Sequence, residues 1–295
     1  MSQESYSALS HLALNVVPPS TEWLNMGYWE DAHTFPEACR ALAVQLHEAA
    51  RIPAQAKILD VGHGCGDSLL LLLEREPCVL HGVTSMPLHA YRAQQRVGNR
   101  ATVWCADAVE WLASSASSST TYDVILALDC AYHFTDRSTF FRNAYKRLAP
   151  GGTLALVDLV GAWPYPSNDT KALFQRSSLP PPSHAPSVWS TLKQRVTCYL
   201  SGTNPTAFIS FADYEELLRK EKFLCITMQD ISHSVFPGFG SFLQNIGGEG
   251  EKAWRGGGMW QWKALRAFGH VVNSWAQGGD SGMVRCGLIV ARKQD

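Results

Sequence analysis

Three glycines at alternate positions mark the first place in this sequence where chemistry is expected. Residues 58–66 read Ile-Leu-Asp-Val-Gly-His-Gly-Cys-Gly, so Gly62, Gly64 and Gly66 follow an apolar run and precede the helical pattern that starts at Asp67. Glycine permits tight turning and close approach of the backbone to a ligand, and a glycine turn between a strand and a helix is the context of a nucleotide loop. The spacing is G-x-G-x-G. The dinucleotide fingerprint G-x-G-x-x-G places its third glycine one residue later, where Asp67 stands. A pyrophosphate favours an uncluttered helix N-terminus; a carboxylate there repels it and tolerates an ammonium or sulfonium. Asp67 as a helix N-cap accounts for the same residue equally well. A second set of reactive side chains is Asp129, Tyr132 and His133, directly after the apolar run 123–128. No cluster of metal-binding carboxylates stands at the predicted strand ends, so no metal is expected.

The elements that must position these residues follow from periodicity. Residues 36–51 have helical spacing, with Ala38, Leu42, Leu46 and Ala49 on one face. Short buried-strand runs are expected at 57–61, 79–84, 102–105, 123–128 and 153–159, with helices at 67–76, 89–97, 109–113 and 138–148 between them. This alternation argues for an α/β fold with a doubly wound, mostly parallel sheet. After Leu159 the regularity stops, and residues 161–206 are rich in Pro, Ser and Trp. A helix at 211–221 and strands at 223–231 and 283–292 then complete a seven-stranded, Rossmann-like sheet with helical lid insertions. In open sheets of this kind ligands bind at the carboxyl ends of the strands, at the switch point.

In this order the pieces resemble the class I S-adenosylmethionine (SAM)-dependent methyltransferases. The loop Asp60–Gly66 resembles their motif I, Cys105-Ala-Asp107-Ala108 the adenine-recognition segment, and Leu148-Ala-Pro-Gly-Gly-Thr-Leu154 the turn into strand five. Most members end strand two on an acidic ribose ligand; here the segment reads Gly82-Val-Thr84-Ser85-Met-Pro-Leu-His89-Ala. That is similar to the tocopherol, sterol and cyclopropane-fatty-acid-type branch, where a Thr and a Gln take over the ribose; Thr84 matches, and His89 stands in place of the Gln. Leu24-Asn-Met-Gly-Tyr28-Trp29 resembles the branch's N-terminal segment that folds over the methionine end, while a hydrophobic anchor is the alternative role for Tyr28 and Trp29. Asp129 and His133 match the acidic residue and the His of the branch's strand-four end. The resemblance implies SAM as cofactor, bound by Tyr28, Trp29, Asp60, Gly62, Gly64, Gly66, Thr84, Ser85, His89, Asp107, Ala108 and Leu128. It places His133, Asp129 and Tyr132 at the site of methyl transfer, with His133 as base or orienting group.

The implied organisation is a helical cap over 1–50, a SAM-binding core over 51–160, a lid insertion over 161–210, and a C-terminal part of the sheet with a helical insertion over 211–295, all within one domain. The aromatic-rich stretches 161–206 and 235–278 are expected to cover the carboxyl edge, with Trp163, Trp189, His233 and Phe236 lining an acceptor pocket; helices packing on one another give the same composition. Aromatic cover points to a lipophilic or aromatic small-molecule acceptor with an O, N or C nucleophile. A net charge of −1 offers no basic field for nucleic acid. No secretory leader and no membrane-length apolar run is apparent, and none of the eight cysteines forms a C-x-x-C pair, so reduced thiols in the cytoplasm are expected. The rival readings are a catalytically degenerate SAM-binding scaffold and, against the glycine spacing, an NAD(P)-dependent oxidoreductase.

Overall fold

A computed structural model describes residues 14–15, 21–77, 79–114, 120–134, 136–162, 188, 192, 207–246, 259–277 and 283–295. Residues 1–13 and 16–20 of the expected cap and residues 163–187 therefore lie outside the described residues, and with them Trp163; Trp189 does too. In chain order the elements are α1 (Phe35–Ala50), β1 (Lys57–Val61), α2 (Asp67–Leu73), β2 (Val79–Thr84), α3 (Pro87–Val97), β3 (Thr102–Cys105), α4 (Ala108–Ala113), β4 (Tyr122–Leu128), α5 (Arg137–Arg147) and β5 (Leu148–Gly161). They continue with α6 (Phe211–Lys220), β6 (Leu224–Asp230), α7 (Ser232–Asn245), α8 (Met259–Ala276) and β7 (Val284–Arg292).

The strands form one seven-stranded sheet in the order β3-β2-β1-β4-β5-β7-β6. β1 pairs in parallel with both β2 and β4, and β4 pairs in parallel with β5. β7 alone runs the other way, antiparallel to β5 and β6. The chain winds outward from β1 to β3, then returns to β4 on the opposite side of β1. That reversal leaves a crevice at the carboxyl ends of β1 and β4, where their following turns part.

Alternation along the strands builds two cores. Val124 and Leu126 of β4 face one side with Leu42 and Leu46 of α1, Leu69 of α2 and Trp275 of α8. Ile125 and Ala127 face the other with Trp111 of α4, Phe140 and Phe141 of α5, and Phe211 and Tyr214 of α6. Both faces of the sheet are covered, as a parallel sheet requires. α1 begins in a capping box: Thr34 accepts from the Glu37 N–H, and the Glu37 carboxylate accepts from Thr34 in return.

Two expectations change here. Among the described residues of 235–278, the aromatic side chains Phe236, Phe239 and Trp262 do not line the carboxyl edge. α7 and α8 pack on each other at Gly240 and Gly269, where an added Cβ on Gly269 would meet the Gly240 carbonyl oxygen at 2.9 Å. Phe236, Phe239 and Trp262 are buried in the first core, so the alternative role of helices packing together holds. The strand expected at 153–159 is also longer, since β5 runs through the Pro150-Gly151-Gly152 turn, with a register shift opposite Tyr122 and Val124.

One buried ion pair ties the chain around residues 159 and 207 to this frame. Arg137 of α5 and Asp158 of β5 sit 3.0 Å apart, both almost inaccessible to solvent. The Tyr214 hydroxyl donates to the same carboxylate at 3.0 Å. Arg137 also donates to the carbonyls of Leu159 and Ala207, and the Gly161 N–H reaches Ile209 O at 2.8 Å. The chain therefore leaves at residue 162 and re-enters at 207 through one clamped point. Burial pushes the Asp158 carboxyl above its ordinary value, against the pull of Arg137. Replacing Arg137 by Met leaves that carboxylate buried without its cation. The expected loss is about 3–5 kcal/mol in urea unfolding, with much of it recovered when Asp158→Leu is added; an unchanged midpoint would show that the pair is dispensable.

Candidate functional site

A cleft of about 360 Å³ opens at the parting of β1 and β4. Its floor is the glycine loop. Gly62, Gly64 and Gly66 have φ of +72°, +57° and +99°, a region that side chains disfavour. At Gly62 the need is also spatial: an added Cβ would lie 2.5 Å from Cys130 Sγ, in the turn after β4. At Gly64 it would lie 2.7 Å from Leu24.

Leu24 belongs to a strap, residues 22–29, which crosses above the loop. Glu22, Trp23, Leu24 and Asn25 line the cleft. Asn25 is tied to α1 twice, its side-chain amide donating to Cys39 O at 3.2 Å and its backbone carbonyl accepting from the Cys39 thiol at 3.1 Å. The Met26 N–H donates to Asp129 Oδ2 at 2.9 Å. Tyr28 and Trp29, expected over the methionine end of a cofactor, turn away from the cleft. Their backbone N–H groups bond Ala38 O and Ser234 O, and Trp29 packs on Phe242 with centroids 5.5 Å apart. They anchor the strap, and its earlier residues do the covering. Leu24 and Asn25 belong to the segment expected there, while sequence reasoning missed Glu22 and Trp23 because their partners are remote in the chain.

Asp67 neither caps its helix nor stands free for a cation. Gly66 occupies the N-cap position, without a side-chain bond. The Asp67 carboxylate accepts from Arg96 at 2.6 and 2.7 Å and from the Glu22 N–H at 3.0 Å. Arg92, one helical turn before Arg96 on α3, forks onto Glu22. Burial works to raise the Glu22 carboxyl, but the hydrogen bond from Arg92 and the charges of Arg96 and Arg92 hold it below its ordinary value. This ionic cluster pins the strap beside the loop. The i, i+4 arginines on α3 were the signal that could have disclosed it.

Asp60 is buried behind the loop, accepting from the Ser68 hydroxyl at 2.5 Å. Burial raises its carboxyl to about 7, with the Ser68 bond opposing. It does not line the cleft; Ser68 does, so Asp60 acts through Ser68 and the loop. Thr84, Ser85 and His89 line the cleft together at the end of β2 and the start of α3. His63, between the first two glycines, joins them. Its ring is buried against Gly82, and burial lowers it to about 4.

Asp107 caps α4, its Oδ1 accepting from the Val109 and Glu110 N–H groups at 2.8 and 3.1 Å. With Ala108 it forms one end of the cleft, and Leu128, Asp129, Tyr132, His133 and Phe134 form the other. Asp129 has φ +54°, an uncommon conformation for a residue with a side chain. Tyr132 and His133 lie on a short 3₁₀ turn with ring centroids 4.2 Å apart. His133 keeps an exposed edge while the enclosing walls push its imidazole down to about 4. It is therefore neutral at neutral pH.

Two expected pocket residues lie elsewhere. His233 stands 3.3 Å from Glu30, beside the Ser234 hydroxyl at 3.0 Å, where α7 meets the strap. Phe236 packs on Trp275 with centroids 5.4 Å apart in the core. Trp163 and Trp189 fall outside the described residues. Among the described residues no group of three or more His, Cys, Asp and Glu side chains is placed to hold a metal ion.

Known proteins carry the same framework. The family described as a methyltransferase domain matches residues 28–199, more than half of the chain. The erythromycin 3''-O-methyltransferase of Saccharopolyspora erythraea is 35% identical over 144 residues, 47% of this chain and 46% of that protein. The 27-O-demethylrifamycin SV methyltransferase of Amycolatopsis mediterranei is 32% identical over 145 residues, 47% of this chain and 52% of that protein. The aligned stretch thus spans about half the length of either relative. A cyclopropane synthase of Mycobacterium tuberculosis superposes with a TM-score of 0.68 over 99% of both chains at 17% identity, a likeness of fold alone. Its sheet order, its glycine loop and the family match over 28–199 agree: the chain belongs to the methyltransferase-domain family.

Proposed function

We propose that the protein transfers a methyl group from SAM to a hydroxyl oxygen of a lipophilic small molecule. The carrying observation is the arrangement of the cleft, which runs along the strand ends in the order β3, β2, β1, β4. It offers Asp107 and Ala108 at one end, Thr84, Ser85 and His89 next, then the glycine loop, and Asp129, Tyr132 and His133 at the far end. That sequence of groups suits adenine, then ribose, then an amino-acid tail. Asp107 spends only Oδ1 on its helix, leaving Oδ2 for an exocyclic amine. Two carboxyl groups, the buried Asp60 and the half-buried Asp129, lie beside the loop, an environment that suits a cationic cofactor and disfavours a diphosphate.

When bound, SAM supplies an electrophilic methyl on a sulfonium. The protein's share is then proximity and orientation. The strap excludes water above the glycine loop. His133, neutral over the working range, receives the hydroxyl proton as the oxygen attacks, and Tyr132 stands against it. An oxygen acceptor is favoured because a proton acceptor at this end helps a hydroxyl most and a free amine least. Of the two relatives named above, one is a 3''-O-methyltransferase and the other is named for a 27-O-demethyl substrate. We also place the protein in the cytoplasm with a small molecule, not nucleic acid, as its acceptor. The described cysteines are free thiols, the net charge is −1, and no described helix is long and apolar enough to cross a membrane.

Isothermal titration with SAM tests the donor; no binding at high micromolar concentration would sink it. Asp107→Ala should weaken SAM about tenfold, the scale of one lost hydrogen bond to a charged group. For His133, the base form persists down to its lowered pKa. Turnover with a hydroxyl acceptor should therefore stay level from neutral pH downward and fall only as pH approaches about 4. His133→Ala should cost on the order of 10²-fold in kcat; unchanged turnover across pH would reject the base role.

A further inference from the structure

Asp129 is half-buried in the cleft wall, at the end of β4 directly beside the glycine loop, and its Oδ1 is shut off from solvent. Oδ2 accepts from the strap's Met26 N–H, the Tyr132 hydroxyl also bonds the carboxyl, and neither partner carries a charge. The groups that face it are the Tyr132 hydroxyl on its own turn, Asp158 from β5, the Cys39 thiol from α1, the Cys286 thiol from β7 and the neighbouring Cys130 thiol. None of these is a cation. A buried carboxylate is strongly disfavoured unless it is paired. A non-glycine residue held at positive φ is, in addition, the kind of local strain that persists at ligand sites.

We propose that Asp129 is the counter-ion of the cofactor's α-ammonium group, a positioning residue for the donor and not an acid or base of methyl transfer. The inference rests on SAM being the donor. With adenine at the β3 end and ribose at the β2 end, the amino-acid tail arrives at β1 and β4, where Asp129 waits. Of the two cations on that tail, the sulfonium has to remain open toward His133 and the acceptor, so the ammonium is the one that is enclosed. Without a ligand, burial holds the Asp129 carboxyl up at about 8, with the Met26 N–H opposing. Arrival of the ammonium favours the ionised form, so the carboxyl gives up its proton to solvent as the ion pair forms. The same contact draws on the strap: the carboxylate that takes the ligand's charge already holds the Met26 N–H.

The test is calorimetry at pH 6.5 in buffers of different ionisation enthalpy, where an α-amine is already charged. Three probes are compared: SAM, S-adenosylhomocysteine, which keeps the ammonium without the sulfonium, and 5′-methylthioadenosine, which has neither. Wild type should release about one proton on binding either of the first two and none with the third. Asp129→Asn keeps an acceptor for Met26. It should abolish the release and weaken SAM and S-adenosylhomocysteine alike by about tenfold or more, the scale of a lost charged contact, while 5′-methylthioadenosine changes less than about twofold. Three results would overturn the proposal and leave the donor standing: equal weakening of all three probes, weakening confined to SAM, or no proton release from wild type. Failure of wild type to bind any probe would remove the donor reading and this inference together.

Discussion

Two turns leave the sheet side by side, one after β1 and one after β4, and they fit only because Gly62 has no side chain to strike Cys130. Everything else in the site depends on that close approach. It brings the glycine loop beside the Asp129–His133 turn, so a ligand lying on one reaches the other. The reversal of strand order separates the helices that follow β1 and β4 onto opposite faces and keeps the crevice open above the two turns. Gly64 repeats the principle one layer up, where its bare backbone admits Leu24 of the strap.

The charge distribution around this point is divided. On the α3 side, Arg92 and Arg96 neutralise Glu22 and Asp67, and the strap is fastened by a closed ionic cluster. On the β4 side, Asp129 and the strap's Met26 share a bond with no cation present. One end of the strap is thus satisfied by the protein itself, while the other lies where a positive ligand would complete it. Asp60, held by Ser68 behind the loop, adds to the same cation-favouring character.

The parallel half of the fold was legible because its strands are short apolar runs ended by Gly, Asp or Thr, and their period leaves little choice. The glycine loop, Thr84, Asp107 and the Asp129–His133 turn were legible for a related reason: each directly follows such a strand, so its place in the sheet is known once the order is. What was not legible depends on contacts between remote residues. Asp67 looks the same in sequence whether it caps a helix or pairs with Arg96. Phe236 and Trp262 look the same whether they line a cleft or fill a core, and α7 against α8 decides it through two glycines. Tyr28 and Trp29 were expected over a cofactor, but they lie on the side of α7, where Ser234 and Phe242 are their neighbours.

The clamp that Arg137 makes between residues 159 and 207 has a consequence for how such a chain can diversify. Because its two described ends, residues 162 and 207, are held together at one point, a change in the length of the stretch between them alters the entropy of closing it. Doubling the length of a segment closed in this way adds only about 0.6 kcal/mol of closure entropy. An insertion or deletion between the two ends is therefore expected to leave Arg137, Asp158 and Tyr214 joined as they are.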